Sequence, residues 1–549
     1  MSKKISLPII FLFLVSVISF PLYHLNAADD EAVLYFFWGV GCPFCDQQEE
    51  FLEELEDKYP GLEIKDYEVY QDPEGREFFM EMARLHNLDR EAVPATFIGE
   101  QHWVGFRNTM KTPMEEAVAE CIETGCPDAA ELDSAATEQV DVEDLRPYAS
   151  QFQSVPDLEP LIEHLAEGRL ALLGEASHGT EEYYHWRAGI SRKLIEEHDF
   201  DFVVVEGDWG SLYEVNKYVN QDPEALADKE TVLAQLDRWP PWMWANPVVE
   251  EFIGWLRDYN AGGNNVGFYG LDVYGAWQDG DRLLELIGDP ELRQRAEEKF
   301  ECFEDYRDDG QAYAQNYQQF SRSCAEEMGG IYRLVDEEIA PGVSPERALR
   351  LRQKASVLKQ SERHYRAMAT AELDGWNERV AHMESTLERL LNYYGEDARG
   401  IVWAHNTHVG DARATVMAQQ GRDNIGQLTR VNYGADKVRI LGQSGYQGSV
   451  RAGSAWGQPG NEMELPAAQE NSHEALLNEL GKEQYYLIFD DQFRQTGLLE
   501  QNRGHRAVGV VYNPRQERGN YVPTLLPVRY DALLFFRETT ALDPHPAVE

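Results

Sequence analysis

Ionisable side chains stand directly after an apolar run in the segment LLGEASHGTEEYYHWR, residues 172–187 of this 549-residue sequence. The run ends at Gly174, and Glu175 and His178 follow it. A histidine oriented by a carboxylate can take a proton from water, while a cationic group or a second histidine stabilises the oxyanion that forms. The segment is therefore a candidate for general-base hydrolysis.

The same segment also fits the beginning of a helix. Ser177 or Thr180 can cap the helix, and Glu181 and Glu182 would lie in its first turn, where the helix dipole favours negative charge. This interpretation accounts for those two glutamates. It does not account for the acid and the histidine that precede them at the end of a strand.

Three further apolar runs are followed by side chains of the same types. FVVVEGDW ends in Glu206 and Asp208, VGFYGLDVYG ends in Asp272, and IVWAHNTHVGD ends in His405, Asn406, His408 and Asp411. In open α/β sheets, ligands bind outside the carboxyl ends of the strands. Four such runs together favour one shared polar site over four unrelated helix caps.

The motifs of two common enzyme classes are missing from the sequence. It contains no Gly-x-Ser-x-Gly elbow and no glycine-rich phosphate loop, so neither a serine α/β-hydrolase nor a nucleotide site is supported. Carboxylates and imidazoles remain. They can activate water, but His178, His405 and His408 with one carboxylate would also suffice to bind zinc. The spacing of these residues does not separate the two chemistries.

The elements that must position these residues form a large unit that begins at about residue 146. Its candidate buried strands are Leu170–Gly174, Phe202–Glu206, Val266–Leu271, Gly400–Ala404, Val438–Gly442, Tyr485–Phe489 and Ala532–Phe536. Helical patterns separate several of these runs. The unit is therefore predicted to be an α/β domain with a mostly parallel sheet and helices on its faces.

A large helical insertion is predicted at residues 280–395. Strand signals almost vanish there, and Glu372–Tyr393 carries apolar residues at helical spacing, among them Trp376 and Val380. We expect the insertion to shape a substrate cleft. The aromatic run Trp239–Trp244 could form an apolar wall of that cleft or belong to the ordinary core.

The motifs of the large unit resemble those of the erythromycin esterase family. They occur in the same order as in the family and with similar spacing, and the resemblance covers about residues 146–540. The matching tracts are 174–179, the tract that ends at Arg187, 206–207, 270–272 and 404–408. The resemblance implies hydrolysis of a carboxylic ester, in the best-known members the lactone of macrolide antibiotics, hence a role in antibiotic resistance. It also implies a metal-independent mechanism in which a histidine activates water, and no cofactor.

Seven positions match residues of the family's site. The resemblance implies these roles: His178 as general base; Glu175 and Glu206 to orient it or the water; Arg187, His405 and His408 to bind substrate or stabilise charge; and Asp272 as an acid whose role stays open.

A second candidate centre is Cys42-Pro43-Phe44-Cys45, at a predicted strand-to-helix turn. A helix N-terminus lowers the pKa of a thiol there, which favours a redox-active centre. A plain structural bridge or half of a zinc site are the alternatives. The second half of a zinc site is missing, since Cys121 and Cys126 are five residues apart and no histidine pair is near them.

The chain around this motif, residues 28–128, predicts the element order β-α-β-α-β-β-α. Together with Val93-Pro94, the motif resembles the thioredoxin superfamily, particularly its glutaredoxin-like and small disulfide-oxidoreductase branches. The resemblance implies that Cys42 attacks, Cys45 resolves, and a cis Pro94 packs against them during thiol–disulfide exchange with a partner. Cys121 with Cys126, and Cys302 with Cys324, could form structural bridges.

The remaining segments indicate export. Residues 1–27 combine two lysines, an apolar run and small residues, as a signal peptide does, although an uncleaved anchor is the alternative.

The composition of residues 129–145 predicts an acidic linker. The formal charge of −48 repels nucleic acid and anionic lipid. We expect a periplasmic or secreted protein without a nucleic-acid partner or stable membrane association.

The sequence thus predicts an exported hydrolase with an accessory redox domain, acting on a small-molecule ester or lactone. Two alternatives stay open. The large domain could be a metal- or haem-binding module without turnover, or it could serve as the partner module of a protein that is primarily a thiol–disulfide oxidoreductase.

Overall fold

The structure is a computed structural model that describes residues 32–548, except residues 87, 89–91, 131–141, 340–341 and 371–374. The predicted signal peptide, residues 1–27, lies outside these described residues. Within them, no helix has both the length and the apolar character needed to cross a bilayer.

The N-terminal domain is a small α/β unit with the predicted element order. Its elements are β1 (Ala32–Trp38), α1 (Pro43–Lys58), β2 (Leu62–Glu68), α2 (Pro73–Leu85), β3 (Ala95–Ile98), β4 (Gln101–Val104) and α3 (Lys111–Thr124). The sheet order is β2-β1-β3-β4; β1 and β2 are parallel and the other pairs antiparallel. The prediction of a thioredoxin-like fold is confirmed.

The larger domain contains the remaining strands and helices. The strands are β5 (Ser150–Gln151), β6 (Leu170–Leu173), β7 (Phe202–Asp208), β8 (Gly267–Asp272), β9 (Gly400–Trp403), β10 (Val438–Gly453), β11 (Gly460–Leu465), β12 (Gln484–Ile488), β13 (Arg503–Arg506), β14 (Tyr521–Thr524) and β15 (Ala532–Thr539). The helices before β9 are α4 (Val142–Leu145), α5 (Glu159–Ala166), α6 (Glu181–His198), α7 (Trp209–Val219), α8 (Lys229–Leu233), α9 (Pro247–Ala261), α10 (Ala276–Leu286), α11 (Pro290–Glu304), α12 (Gly310–Phe320), α13 (Ala325–Glu338), α14 (Pro345–Ala367) and α15 (Gly375–Tyr394). Those after β9 are α16 (Asn406–Val409), α17 (Val416–Gln419), α18 (Ile425–Tyr433), α19 (His473–Asn478), α20 (Asp491–Arg494) and α21 (Leu526–Arg529).

The central sheet of this domain is mostly parallel, as predicted. Its order is β5-β12-β15-β10-β6-β9-β7-β8, with β11 paired beside β10. Neighbouring strands from β15 to β8 run parallel, while β12 is antiparallel to both β15 and β5. Strands β13 and β14 form a separate antiparallel pair.

Helices cover both faces of the sheet, so its central strands are buried on both sides. Leu173 and Trp403 belong to the apolar core on one face, and Leu172 and Val402 belong to the core on the other. Strands with two covered faces need continuous apolar runs. This requirement explains why the strands that carry the polar edge residues were recognisable in the sequence.

Strand β10 differs most from its prediction. It was expected to end at residue 442 but continues to Gly453. The extension QSGYQGSVRAG, residues 443–453, is mostly polar and glycine-rich, so it carries no clear strand signal of its own. It is a strand because β15 pairs with it on one side and β11 on the other.

The described residues of the predicted insertion consist of helices α10 to α15 and the short loops between them, and they contain no strand. A disulfide joins Cys302 in α11 to Cys324, the N-cap residue of α13. Helix α13 packs on α14, and α14 packs on α15. The insertion therefore holds α15 against the rest of the domain.

The segment predicted as a linker, residues 129–145, is structured at both ends. Ala129 is buried in the N-terminal domain, and Val142–Leu145 forms α4 with Leu145 buried in the larger core. The predicted linker boundaries were thus too wide, because its small and acidic composition hid these packed ends. Residues 131–141 lie outside the described part.

Candidate active site

Four neighbouring parallel strands, β6, β9, β7 and β8, end at the same edge of the sheet. Leu173 and Val205 both pair with Trp403, so β6 and β9 end at the level of Val205, and β7 continues from there to Asp208. Asp208 pairs with Asp272 at the same edge, beyond an irregularity in β7. The polar residues that follow the strands are thereby brought together, as the strand-end pattern predicted.

The loop after β6 passes close to neighbouring backbone and side chains, and this closeness explains two of its glycines. A Cβ at Gly174 would collide with the Asn406 side chain, and one at Gly179 would collide with the carbonyl of Arg451. The loop leads into α6, with Thr180 at the N-cap position. It therefore turns tightly enough to hold His178 over the sheet edge.

His178 is held by a buried carboxylate. Its Nδ1 donates to Glu175 Oε1 at 2.9 Å, and Arg187 Nη1 lies 3.1 Å from the other oxygen of Glu175. A proton on Nδ1 leaves Nε2 of the neutral imidazole with a free lone pair. His178 lines the pocket at this edge, so Nε2 can act as a base there.

Arg187 occupies a different place from the one the resemblance implied. It is fully buried behind Glu175, with its guanidinium 4.5 Å from the ring centroid of Tyr184 and 4.8 Å from that of Trp403. It does not line the pocket. Arg187 therefore fixes Glu175 rather than contacting substrate.

The environment of His178 favours its protonated form. Burial by itself lowers the pKa of this imidazole, but the hydrogen bond to Glu175 and the charge of Glu206 raise the pKa above its ordinary value. A base with a raised pKa accepts a proton readily and is active only above that pKa.

Glu206 lies at the centre of the pocket's hydrogen bonds. It accepts from the His405 backbone N–H at 3.0 Å and from Arg379 Nη2 at 2.8 Å, and His408 Nε2 lies 3.2 Å from its Oε1. Burial alone would raise the pKa of Glu206, but the charges of His408 and Arg379 hold it well below its ordinary value. Glu206 is therefore ionised at neutral pH.

His405 is a neutral hydrogen-bond donor in this setting. Its ring centroid lies 4.9 Å from that of His178. Its Nδ1 accepts from the backbone N–H of Thr407 at 3.2 Å, which assigns the ring proton to Nε2. Burial and the neighbouring charge of His178 lower the pKa of His405 well below its ordinary value.

Arg379 is a site residue that the sequence reasoning missed. It extends from α15 and binds both oxygens of Asp272, at 2.9 and 2.6 Å, as well as Glu206. Burial favours the neutral acid, but Arg379 keeps the pKa of Asp272 below its ordinary value. One feature of the sequence could have pointed to Arg379, because it lies between Trp376 and Val380 of the apolar stripe. The helix carries many other charged residues, however, so Arg379 did not stand out among them.

Helix α15 also orients His408. The indole of Trp376 stacks on the His408 ring, with centroids 4.4 Å apart and an interplanar angle of 11°. Arg379 Nη1 lies 3.1 Å from His408 Nε2. The insertion thus contributes directly to the pocket, as expected for an element that shapes a cleft.

Two acids from the same strand ends differ in position. Asp208 lines the pocket, 3.3 Å from Arg238, and burial raises its pKa to about 6 although Arg238 opposes this shift. Asp411 does not line the pocket and instead binds Arg413 and Arg430. Asp411 therefore has a structural role in ion pairs and does not belong to the pocket, although it follows a strand end as the site residues do.

The pocket has a volume of about 430 Å³ and an aromatic side. Trp239, Met243 and Trp244 line it, whereas Trp242 is buried in the core. Trp244 Nε1 donates to the Glu206 carbonyl at 3.0 Å. The aromatic run therefore serves both as pocket wall and as core.

The described residues contain no group of three or more His, Cys, Asp or Glu side chains placed to hold a metal ion. The positions of the candidate ligands explain this finding. Nδ1 of His178 is bound to Glu175, and Glu206 is bound to Arg379.

The second candidate centre lies in the N-terminal domain. Cys42 and Cys45 form a disulfide, Cys42 caps α1, and its sulfur accepts from the Cys45 backbone N–H at 3.2 Å. The Val93–Pro94 peptide bond is cis, and the Val93 carbonyl oxygen lies 3.9 Å from Cys42 Sγ. A second disulfide joins the two cysteines at 121 and 126.

Fold and site together define an α/β domain with a histidine–carboxylate pocket at the carboxyl edge of its parallel strands, joined to a thioredoxin-like domain. The erythromycin esterase family model matches residues 195–539, and the glutaredoxin family model matches residues 33–103. The chain belongs to the erythromycin esterase family and carries an N-terminal glutaredoxin-like domain.

Three solved structures share the fold. A succinoglycan biosynthesis protein has a TM-score of 0.62 at 16% identity, with 74% of this chain and 98% of that chain covered. A Bacillus cereus protein has a TM-score of 0.62 at 19% identity, with the same coverage. A mutant of the erythromycin esterase EreC in its open conformation has a TM-score of 0.53 at 16% identity, covering 72% and 97%.

Proposed function

We propose that the large domain hydrolyses a carboxylic ester or lactone with water activated by His178. The observation that carries this proposal is the arrangement of His178. A buried carboxylate fixes its Nδ1, and the His178 side chain lines a pocket that also contains Glu206 and His405. General-base catalysis requires this combination of fixed tautomer and accessible lone pair.

The reaction begins when Nε2 of His178 takes a proton from water and the water oxygen attacks the ester carbonyl. The carbonyl electrons move to oxygen, and the resulting oxyanion is stabilised by Nε2–H of His405 and by the positive charge of Arg379. The tetrahedral intermediate then collapses. The bond to the alkoxy oxygen breaks, and that oxygen takes the proton from His178. The products are an acid and an alcohol, or one hydroxy acid from a lactone.

Two further acids keep the catalytic groups in place. Glu206 holds the His405 backbone and the Arg379 guanidinium, and Asp272 binds the other side of Arg379. We assign both as positioning residues. Their charges also balance the buried cation, which would otherwise be costly to keep in the pocket.

The test is turnover of a panel of esters and lactones by the full chain, with and without chelator. Wild type is expected to hydrolyse at least one compound, and chelator is expected to have no effect. His178→Ala removes the base, so its kcat is expected to fall about 10²–10⁴-fold. Near-normal turnover by His178→Ala, with an unchanged melting temperature, would sink the assignment.

The same experiment tests the alternative of a metal- or haem-binding module. Metal analysis and an absorption spectrum of protein purified without chelator are recorded beside the assay. Stoichiometric metal or haem without turnover would favour the binding module. Hydrolysis by protein free of both would exclude it.

We also propose that the N-terminal domain exchanges disulfides through Cys42 and Cys45. The support is the placement of Cys42 at the N-terminus of α1, with its sulfur 3.9 Å from the Val93 carbonyl oxygen. Wild type is expected to reduce insulin in the presence of dithiothreitol, and Cys42→Ser is expected to abolish this activity. The double variant Cys302→Ser/Cys324→Ser is the matched control and keeps it. Equal rates for Cys42→Ser and wild type would contradict the proposal.

We propose export to the periplasm or medium, on the basis of the signal-like residues 1–27 and of the pairing of all six cysteines in disulfides. Fractionation of expressing cells and mass spectrometry of the product test this. A product that begins after residue 27 in the exported fraction is expected. Full-length protein confined to the cytoplasm would contradict it.

A further inference from the structure

A second cavity, of about 1170 Å³, lies between the two domains. Phe44, Gln47 and Arg107 belong to its lining on the side of the glutaredoxin-like domain. Phe44 is 57% exposed although it is large and apolar. A solvent-exposed aromatic that faces a cavity is a frequent mark of a binding surface.

This cavity adjoins the catalytic pocket, and the two share part of their walls. Arg238, Tyr274, Trp376, Arg379 and Trp456 line both. The aromatic ring of Tyr274 lies between the two guanidiniums, 4.2 Å from that of Arg238 and 5.3 Å from that of Arg379. A molecule bound at the catalytic histidine can therefore extend past these residues toward the glutaredoxin-like domain.

Direct contacts join the two domains beside the cavity. Thr109 Oγ1 donates to the Gln420 carbonyl at 3.1 Å. The next residue, Gly421, has a φ of 63°, and a Cβ there would collide with the Thr109 carbonyl. The close approach of the domains at this point therefore requires glycine.

The same segment binds the beginning of α15. Asn377 Nδ2 donates to the Gly421 carbonyl at 2.8 Å, and Trp376 Nε1 donates to the Asp423 carbonyl at 2.7 Å. Trp376 in turn stacks on His408 in the catalytic pocket. The glutaredoxin-like domain is thus connected, through two layers of hydrogen bonds, to a wall of the active site.

We propose that the cavity between the domains is the outer part of the substrate site and binds the portion of a bulky amphiphilic ester that lies remote from the scissile bond. This inference rests on the proposed esterase function. The catalytic pocket alone has the volume of an ordinary ligand site, since such sites measure about 300–1,000 Å³. The additional cavity therefore indicates a substrate much larger than a simple ester.

The lining indicates the chemistry of that portion. Phe44, Trp376 and Trp456 offer apolar faces, whereas Gln47 and Asn108 offer amide groups for hydroxyls. The cavity also carries both arginine and aspartate side chains, so neither sign of charge dominates it. A large ring or chain with apolar and hydroxylated faces fits this surface better than a polyanion does.

The test measures equilibrium binding of erythromycin, as a bulky lactone probe, by titration calorimetry in the His178→Gln background. Adding Phe44→Ala or Gly421→Ala is expected to weaken binding about tenfold, the first by removing an apolar contact and the second by displacing the glutaredoxin-like domain. Tyr70→Ala is the matched control, because Tyr70 is 55% exposed on the same domain and does not line the cavity. It is expected to bind like its parent.

A kinetic readout accompanies the titration. With otherwise wild-type protein, the ratio of kcat/KM for erythromycin to that for 4-nitrophenyl acetate is expected to fall about tenfold in Phe44→Ala and to stay constant in Tyr70→Ala. Absent binding of erythromycin, or equal affinity of all variants, would overturn the two-domain site. Phe44-dependent binding without hydrolysis of either compound would support the site and count against the esterase.

Discussion

Two buried carboxylates at the carboxyl edge of the parallel strands are each held between an arginine and a histidine. Glu175 lies between Arg187 and His178, and the second carboxylate, Glu206, lies between an arginine from the insertion and a histidine that follows β9. Charges in a water-poor site are stable only when they are paired and fully hydrogen-bonded. Each arginine therefore pairs with its carboxylate and holds it in place.

Replacement of Arg379 is the most informative change at this scale. Arg379→Ala leaves Glu206 and Asp272 buried without their shared cation, and losing one partner of a buried pair costs about 3–5 kcal/mol. We expect the free energy of unfolding in urea to fall by about this amount, and kcat to fall about 10²-fold or more because an oxyanion-stabilising charge is lost.

Arg379→Lys is the matched control. It restores a positive charge but not the two-sided contact to Asp272, so stability is expected to recover more than activity. Wild-type stability and turnover in Arg379→Ala would contradict the assigned role.

The positions of the candidate site residues were predictable where these residues follow the strand ends. His178, Glu206, Asp272, His405 and His408 line one pocket because parallel strands end at a common edge. The position of Arg187 behind Glu175 was not predictable, since helical sequence does not tell which side of a loop a long side chain reaches. Arg379 is separated from the strand ends by the whole insertion, so no spacing rule could place it there.

At the scale of elements, the helical insertion carries part of the site on α15 and is braced by the Cys302–Cys324 bond. Removing such a bond costs about 2–4 kcal/mol, mainly by freeing the unfolded chain. Cys302→Ser/Cys324→Ser is expected to lower the melting temperature of the large domain and, because α13 packs on α14 and α14 on α15, to reduce ester turnover.

Cys121→Ser/Cys126→Ser provides the comparison for this change. That bond closes a loop with a sequence separation of 5, against 22 for the bond in the insertion. Its removal is expected to cost less and to leave ester turnover intact. Differential scanning calorimetry with both double variants checks this, and identical thermograms for the insertion variant and wild type would contradict it.

Elements were predictable where burial alone defines them. The central strands are continuous apolar runs. In contrast, the second half of β10 and the short strand β13 are mostly polar, and β14 is four residues long and contains a proline, so all three are strands because of their partners. Pairing between distant segments does not leave a local pattern. The packed ends of the predicted linker were missed for the same reason, because their apolar residues do not repeat at the spacing of a helix or a strand.

At the scale of the whole molecule, the formal charge of −48 sets a condition for stability. Self-repulsion among surface carboxylates opposes the compact state, and salt weakens it by shortening the Debye length from about 10 Å at 0.1 M to about 3 Å at 1 M. The melting temperature is expected to rise over this range of NaCl, and equally in KCl. A melting temperature indifferent to either salt would count against this account.

The sequence predicted two domains and their order, but it did not predict that they meet beside the active site. The contact of Thr109 with residues 420 and 421 joins loops that have no common pattern. Relative domain placement depends on such contacts, which are not visible in composition or periodicity. The cavity between the two domains therefore became apparent only from the structure.

The central claim is that neutral His178, held by Glu175, deprotonates water, and the pH profile of kcat/KM tests it most directly. The pKa of His178 is raised, so the rate is expected to fall as the pH drops through a value above 6.5. Glu175→Gln removes a charge that raises this pKa, so the acid limb should move to lower pH while the rate falls.

Asp208→Asn is the control in this measurement, because Asp208, with a pKa of about 6, is a second group in the pocket that could shape the acid limb. The account predicts that the limb stays in place in Asp208→Asn and shifts in Glu175→Gln. A limb that is unmoved by Glu175→Gln and shifted by Asp208→Asn would contradict it.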